Sequence, residues 1–89
     1  MNFSQALDLI KADHRLTRLN WNGPGLSYIF LVAGHEFEVN RPPLNQMFMP
    51  GTKIKYQSHI DMKTAQGTIV PWVASQSDIL ADDWIEVKS

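Results

Sequence analysis

Apolar positions near the start of the chain fall at Phe3, Ala6, Leu7 and Ile10, the i, i+3, i+4, i+7 stripe of an amphipathic helix. Asn2 stands where a cap belongs and Gln5 follows three residues on, so the pattern predicts a helix over about 3–12 opened by a capping box. Arg15 to Trp21 reads as a strand, and Asn22-Gly23-Pro24-Gly25 as a turn. Leu26 to Ala33, LSYIFLVA, is almost continuously apolar, which predicts a strand buried on both faces. One short helix can cover one face of a small sheet, so the other face calls for self-association.

Glu36 to Asn40 alternates with Phe37 and Val39 inward, and Arg41 to Gly51, with three Pro, reads as a long connection. Lys53 to Tyr56 resumes alternation. If its parity persists, Ile60 and Met62 share one side and His59, Asp61 and Lys63 the other. Thr64 to Gly67 reads as a hairpin turn before a strand at Thr68 to Trp72, which Pro71, lacking an N–H, pushes to an edge or a bulge. Ser75 and Asp78 form a second capping box ahead of a short helix at about 76–82, and Trp84, Ile85 and Val87 a last strand. The predicted fold class is α+β: a small antiparallel sheet with an N-terminal helix and a second short helix near the C-terminus, as one domain over 1–89.

Composition sharpens this picture. A chain of 89 residues buries only about 60–65% of the surface its unfolded form exposes. With three Trp, four Phe and two Tyr, it carries more aromatic surface than so thin a core readily hides. Part of that surface is expected at an interface or a ligand pocket. The net charge is −1 with the cations scattered among nine acids, which argues against binding DNA or RNA through phosphates. There is no cysteine, so neither disulfides nor thiolate metal sites arise. No apolar run approaches the 18 residues of a membrane span, and no leader pattern is seen, so a cytosolic protein is expected.

Few residues suggest reaction chemistry. His14, His35 and His59 lie in separate elements without H-x-x-x-H or H-E-x-x-H spacing. His59 and Asp61 on one strand face read better as a polar pair than as two ligands of a metal. No G-x-S-x-G elbow or glycine-rich phosphate loop is present. Trp21, Trp72 and Trp84 each sit beside polar or turn residues, which suits an indole platform for a purine, and suits a core anchor equally well. The run from His59 to Trp84 crowds Asp61, Thr64, Ser75, Gln76, Ser77, Asp78 and Asp83 around two of these tryptophans, a density of donors and acceptors fit for ribose hydroxyls and an adenine amine. Capping and turns account for Ser75, Asp78 and Thr64. Asp61 has no such explanation.

The segments NFSQAL at the start, LNWNGPG at 19–25, VNRPPL at 39–44, IDMKT, GTIVPW and ASQSDILADDW together span nearly the whole chain and resemble the Thoeris anti-defence 2 family of small phage proteins. The resemblance implies a sponge without cofactor or catalytic residues, acting in the cytoplasm of the infected bacterial host. Such proteins bind the cyclic ADP-ribose isomer made by TIR-domain Thoeris enzymes, the 1''–3' glycocyclic form, and hold it uncleaved. It further implies a homotetramer built from dimers with ligand pockets between subunits; some members also take up cyclic di- or trinucleotides at a second site. Arg41, Lys63 and Arg18 would be the donors for a pyrophosphate. The resulting candidate ligand set is Trp21, Asn22, Arg41, His59, Asp61, Lys63, Thr64, Trp72, Ser75 and Asp78. A direct protein-interaction inhibitor of a host defence enzyme is the competing expectation.

Overall fold

The computed structural model describes residues 1–21 and 26–88. Helix α1 (Phe3–Lys11) opens with the expected capping box: Asn2 Oδ1 accepts from the Gln5 N–H at 2.9 Å and the Asn2 N–H donates to Gln5 Oε1 at 3.0 Å. The helix buries Ala6 and Ile10, and Asp13, at φ +69°, turns the chain out of it, a left-handed conformation that Asp tolerates better than most residues. Then come β1 (Arg15–Arg18), β2 (Tyr28–Val32), β3 (His35–Glu38), β4 (Lys53–Tyr56), β5 (His59–Lys63), β6 (Ile69–Pro71), helix α2 (Gln76–Ile79) and β7 (Trp84–Val87). The fold is α+β, as the patterning predicts.

Five strands form one antiparallel sheet in the order β6-β5-β2-β1-β7. Strand β6 takes an edge, where the missing N–H of Pro71 costs no ladder bond. Alternation turns Leu16, Ile29, Leu31, Ile60, Met62 and Trp84 to one face, where α1 packs and where Phe3, Trp21 and Trp72 close over Trp84. The opposite face carries Arg15, Tyr28, Phe30, Val32 and the side chains His59, Asp61 and Lys63, whose shared parity holds as expected.

Several expectations need correction. Strand β1 stops at Arg18, because the Trp21 N–H donates to the Arg18 carbonyl and turns the chain. LSYIFLVA contributes only Tyr28–Val32, and it is not buried on both faces: Ile29 is buried while Tyr28, Phe30, Leu31 and Val32 are half-buried. The physical reason is that both helices lie on the Ile29 side, so among the described residues there is no second layer for the open face. Helix α2 ends at Ile79 rather than residue 82, since Asp83 must swing back to meet Arg18. The connection at 41–51 contains a 3-10 turn, Leu44–Gln46. The turn expected at Asn22 to Gly25 lies outside the described residues.

Strands β3 and β4 form a separate two-stranded sheet, yet they are no independent hairpin. Val32 pairs with His59, and His35 with Tyr56, so one register runs through both pairings. The two halves make a single ribbon, β2–β3 against β4–β5, whose outer half projects as an arm. At the joint the Gly34 N–H donates to Ser58 Oγ at 3.0 Å. A Cβ on residue 34 would sit 2.2 Å from the Tyr56 carbonyl oxygen, so only glycine lets the two strands close there. The arm explains the elongated extents, 46 × 27 × 26 Å.

Candidate functional site

Asp83 shapes one end of the sheet. Its backbone carbonyl accepts the Leu19 N–H at 3.1 Å and its Oδ2 the Asn20 N–H at 2.9 Å. The turn after β1 is thereby pinned, and Trp21 is set edge-on to Trp84 with ring centroids 5.3 Å apart. Facing it is the β5–β6 hairpin turn, where Thr64 N–H donates to the Thr68 carbonyl at 2.8 Å and the two threonine hydroxyls lie 2.7 Å apart. Gly67, at φ +89°, supplies the left-handed residue this turn requires. Between the two turns lies a cavity of about 410 Å³ lined by Asn20, Trp21, Ser27, Met62, Thr64, Ala65 and Gln66. It offers one half-buried indole, an apolar thioether floor and four hydrogen-bonding side chains. The volume lies within the range of small-ligand clefts, about 300–1,000 Å³.

Lys63 lies on the open face but reaches the same end of the molecule. Its ammonium donates to the Leu26 carbonyl at 3.0 Å, next to Ser27 of the cavity wall, and sits 5.6 Å from the Tyr28 ring centroid. Arg15 covers that ring from 5.2 Å.

Arg18 is committed elsewhere. Its Nε donates to Asp83 Oδ1 at 2.8 Å and its Nη1 to Asp78 Oδ1 at 2.9 Å. Asp78 Oδ2 accepts the Ser75 N–H at 3.1 Å while Ser75 Oγ accepts the Asp78 N–H at 3.1 Å, which completes the capping box of α2. The Asp78 carbonyl accepts the Trp84 indole N–H at 2.9 Å. Arg18, Ser75 and Asp78 thus tie α2 to the sheet. Burial works to raise the Asp78 carboxyl, but hydrogen bonds from Arg18 and Ser75 outweigh it and hold the group below its ordinary value. The hydrogen bond from Arg18 likewise lowers Asp83. Both shifts stabilise the fold above the ordinary Asp value near 3.8, and that contribution disappears as pH falls through the lowered values. We expect Arg18→Met to lower the Tm at pH 7 by on the order of 5–10 °C, and by less at pH 3, below the ordinary Asp value, where the contribution of these pairs in the unmodified chain has begun to decline. Thermal melts of both proteins at the two pH values check this.

The structure divides the candidate residues among several places. Trp21 and Thr64 share the cavity described. His59 and Trp72 line a second, apolar groove of about 600 Å³ between α1 and β5. Arg41 lines a third cavity, of about 400 Å³, with His35, Phe37 and Tyr56 on the arm. Asp61 faces the open side of the sheet, with Oδ2 3.5 Å from His59 Nε2. Asn22 lies outside the described residues. Asn20, Ser27, Met62 and Gln66 stand beside Trp21 without having been singled out; Asn20 was adjacent to it in sequence, while the others arrive only through strand pairing. Among the described residues no group of three or more His, Asp or Glu could hold a metal ion, and no helix is long and apolar enough to cross a membrane.

Comparison with known proteins gives two matches. A family model described as the Thoeris anti-defense 2-like domain matches residues 1–87. A protein named Thoeris anti-defense 2, from Bacillus phage SP01, is 30% identical over 94 aligned positions that cover 94% of this chain and 91% of that protein.

Proposed function

The chain belongs to the Thoeris anti-defense 2-like family, and we propose that it is a phage sponge for the nucleotide signal of Thoeris immunity. It binds a cyclic ADP-ribose isomer, the 1''–3' glycocyclic form, in the cytoplasm of the infected cell, and withholds it from the effector without reacting with it. The observation that carries the site is the cavity between the two turns, where an indole stands against four hydrogen-bonding side chains. The Trp21 face takes the adenine; Asn20, Ser27, Thr64 and Gln66 take ribose hydroxyls and the base edge; and Lys63, tethered beside Ser27, supplies charge toward the pyrophosphate.

Silencing a signal is mass action. The protein must outnumber the ligand and bind well below its working concentration, and nanomolar binding needs about −12 kcal/mol. One stacked base contributes about 1–3 kcal/mol, so one open cavity is not enough by itself. A second subunit closing over it would supply the rest. The half-buried Tyr28, Phe30 and Val32 on the open sheet face support self-association, with pockets completed between copies and a tetramer as the assembled form. Titration calorimetry of the protein with the 1''–3' isomer should show saturable binding near one site per chain or per pair. Absence of binding at micromolar protein would overturn the reading.

A further inference from the structure

Two residues of the cavity between the turns, Asn20 and Trp21, belong to a turn that burial does not hold. Leu19 is 59% exposed and Asn20 is exposed as well, so the turn has no apolar anchor of its own ahead of Trp21. Hydrogen bonds from its backbone hold it instead. The Leu19 N–H donates to the Asp83 carbonyl, the Asn20 N–H to Asp83 Oδ2, and the Trp21 N–H to the Arg18 carbonyl. Two of these three acceptors belong to one residue, 63 positions from Asn20. Asp83 itself is not part of the cavity wall.

The Asp83 carboxylate has little freedom to turn. Arg18 Nε donates to Oδ1 at 2.8 Å and the Asn20 N–H to Oδ2 at 2.9 Å, and charge-assisted bonds on both oxygens fix the plane of the group. Arg18 is fixed in turn by Asp78 Oδ1 at 2.9 Å. The ring of Trp21 rests edge-on against Trp84, whose indole N–H donates to the Asp78 carbonyl. The segment from Asp78 to Trp84 thus reaches Trp21 by two routes: through the backbone of the turn and through the packing of the ring.

We propose that Asp83 is a positioning residue for ligand capture: through Asn20 it sets the Trp21 indole in its stacking place before the nucleotide arrives. A turn ordered in advance spares the ligand the cost of ordering it on binding. The sign of the effect separates this role from charge. The ligand is an anion, so by Coulomb's law alone removal of a nearby carboxylate strengthens capture. Loss of a positioning carboxylate weakens it. The proposal rests on the cavity reading above and adds to it a residue that does not touch the ligand.

Asp83→Asn keeps the shape but has one acceptor oxygen, which cannot serve Arg18 and Asn20 together. Asp83→Glu keeps the charge and displaces it by a methylene. Asp82→Asn removes the same charge one position earlier, at an exposed residue outside these bonds. In calorimetry with the 1''–3' isomer, either Asp83 variant should weaken capture about 3–10-fold, the worth of one ordinary hydrogen bond. Asp82→Asn should leave it unchanged or strengthen it. Added to Trp21→Ala, Asp83→Asn should cost less than about two-fold more, because both act through the same ring. With 5-fluorotryptophan at the three Trp positions, the fluorine resonance of Trp21 in the free protein should shift or broaden in both Asp83 variants and stay in place in Asp82→Asn. If Asp83→Asn does not fold, Asp83→Glu carries the same comparisons. An unmoved Trp21 resonance, undiminished capture in the Asp83 variants, or full additivity with Trp21→Ala overturns the positioning role and leaves the cavity reading standing. Unchanged capture in Trp21→Ala itself overturns the cavity reading and the proposal with it.

Discussion

Trp84→Ala is expected to abolish the cooperative fold. The indole is fully buried and forms the hub of the core, with ring centroids of Phe3 at 5.4 Å, Trp21 at 5.3 Å and Trp72 at 6.1 Å. Among the described residues, only Ala6, Ile10, Leu16 and Ile29 join it in the cluster of buried apolar residues. Truncating a buried Trp costs about 3–5 kcal/mol, and the Asp78 carbonyl would lose its indole donor, a further penalty of about 1–3 kcal/mol if water does not replace it. A domain of this length has about 4–13 kcal/mol in total. Urea titration followed by near-UV circular dichroism should show no native baseline for Trp84→Ala. Trp84→Phe should retain a transition at reduced midpoint, because a six-membered aromatic ring stays in the core while the pyrrole ring and its N–H are lost. A native-like midpoint for the alanine variant would mean that the core lies elsewhere.

The second large effect concerns binding. Trp21 is half-buried, at the rim of the aromatic cluster rather than at its hub. Trp21→Ala should therefore leave a folded protein and weaken capture of the cyclic nucleotide by about 10–100-fold, the equivalent of one lost base stack. Trp21→Phe should recover part of the loss, since a smaller ring still offers a π-face. Calorimetry with the same ligand preparation reads both. Unchanged affinity in Trp21→Ala would move the site away from this cavity, and the arm cavity around Arg41, with His35, Phe37 and Tyr56, would be the next to test.

What the sequence made legible was local. Both capping boxes, Asn2 with Gln5 and Ser75 with Asp78, form because each needs only its own four residues. The edge position of the strand containing Pro71 followed from one missing donor. The parity of His59, Asp61 and Lys63 followed from alternation alone. What stayed hidden depends on partners far along the chain. Arg18 meets Asp78 and Asp83 across 60 and 65 positions, so nothing local separated a structural clamp from a phosphate donor. Parity within one strand did not say that Trp72 would lie on the side opposite Asp61, which requires the pairing of β6 with β5. The ribbon was missed for the same reason: its two pairings were visible as separate strands, while their common register appears only when Val32 meets His59 and His35 meets Tyr56. The apolar run at 26–33 overstated burial because hydrophobicity reports what a strand can bury and not whether this chain supplies the cover.

Uncleaved capture is the central claim, and recovery of the ligand tests it most directly. Protein in molar excess is incubated with the 1''–3' cyclic ADP-ribose isomer until the free nucleotide disappears from the ultrafiltrate. The mixture is then heat-denatured and the supernatant is resolved by liquid chromatography with mass detection. Capture predicts that the nucleotide returns quantitatively with its original mass and retention time, independent of how long it was held. A linear ADP-ribose or a smaller fragment accumulating with incubation time would contradict it and identify the protein as an enzyme.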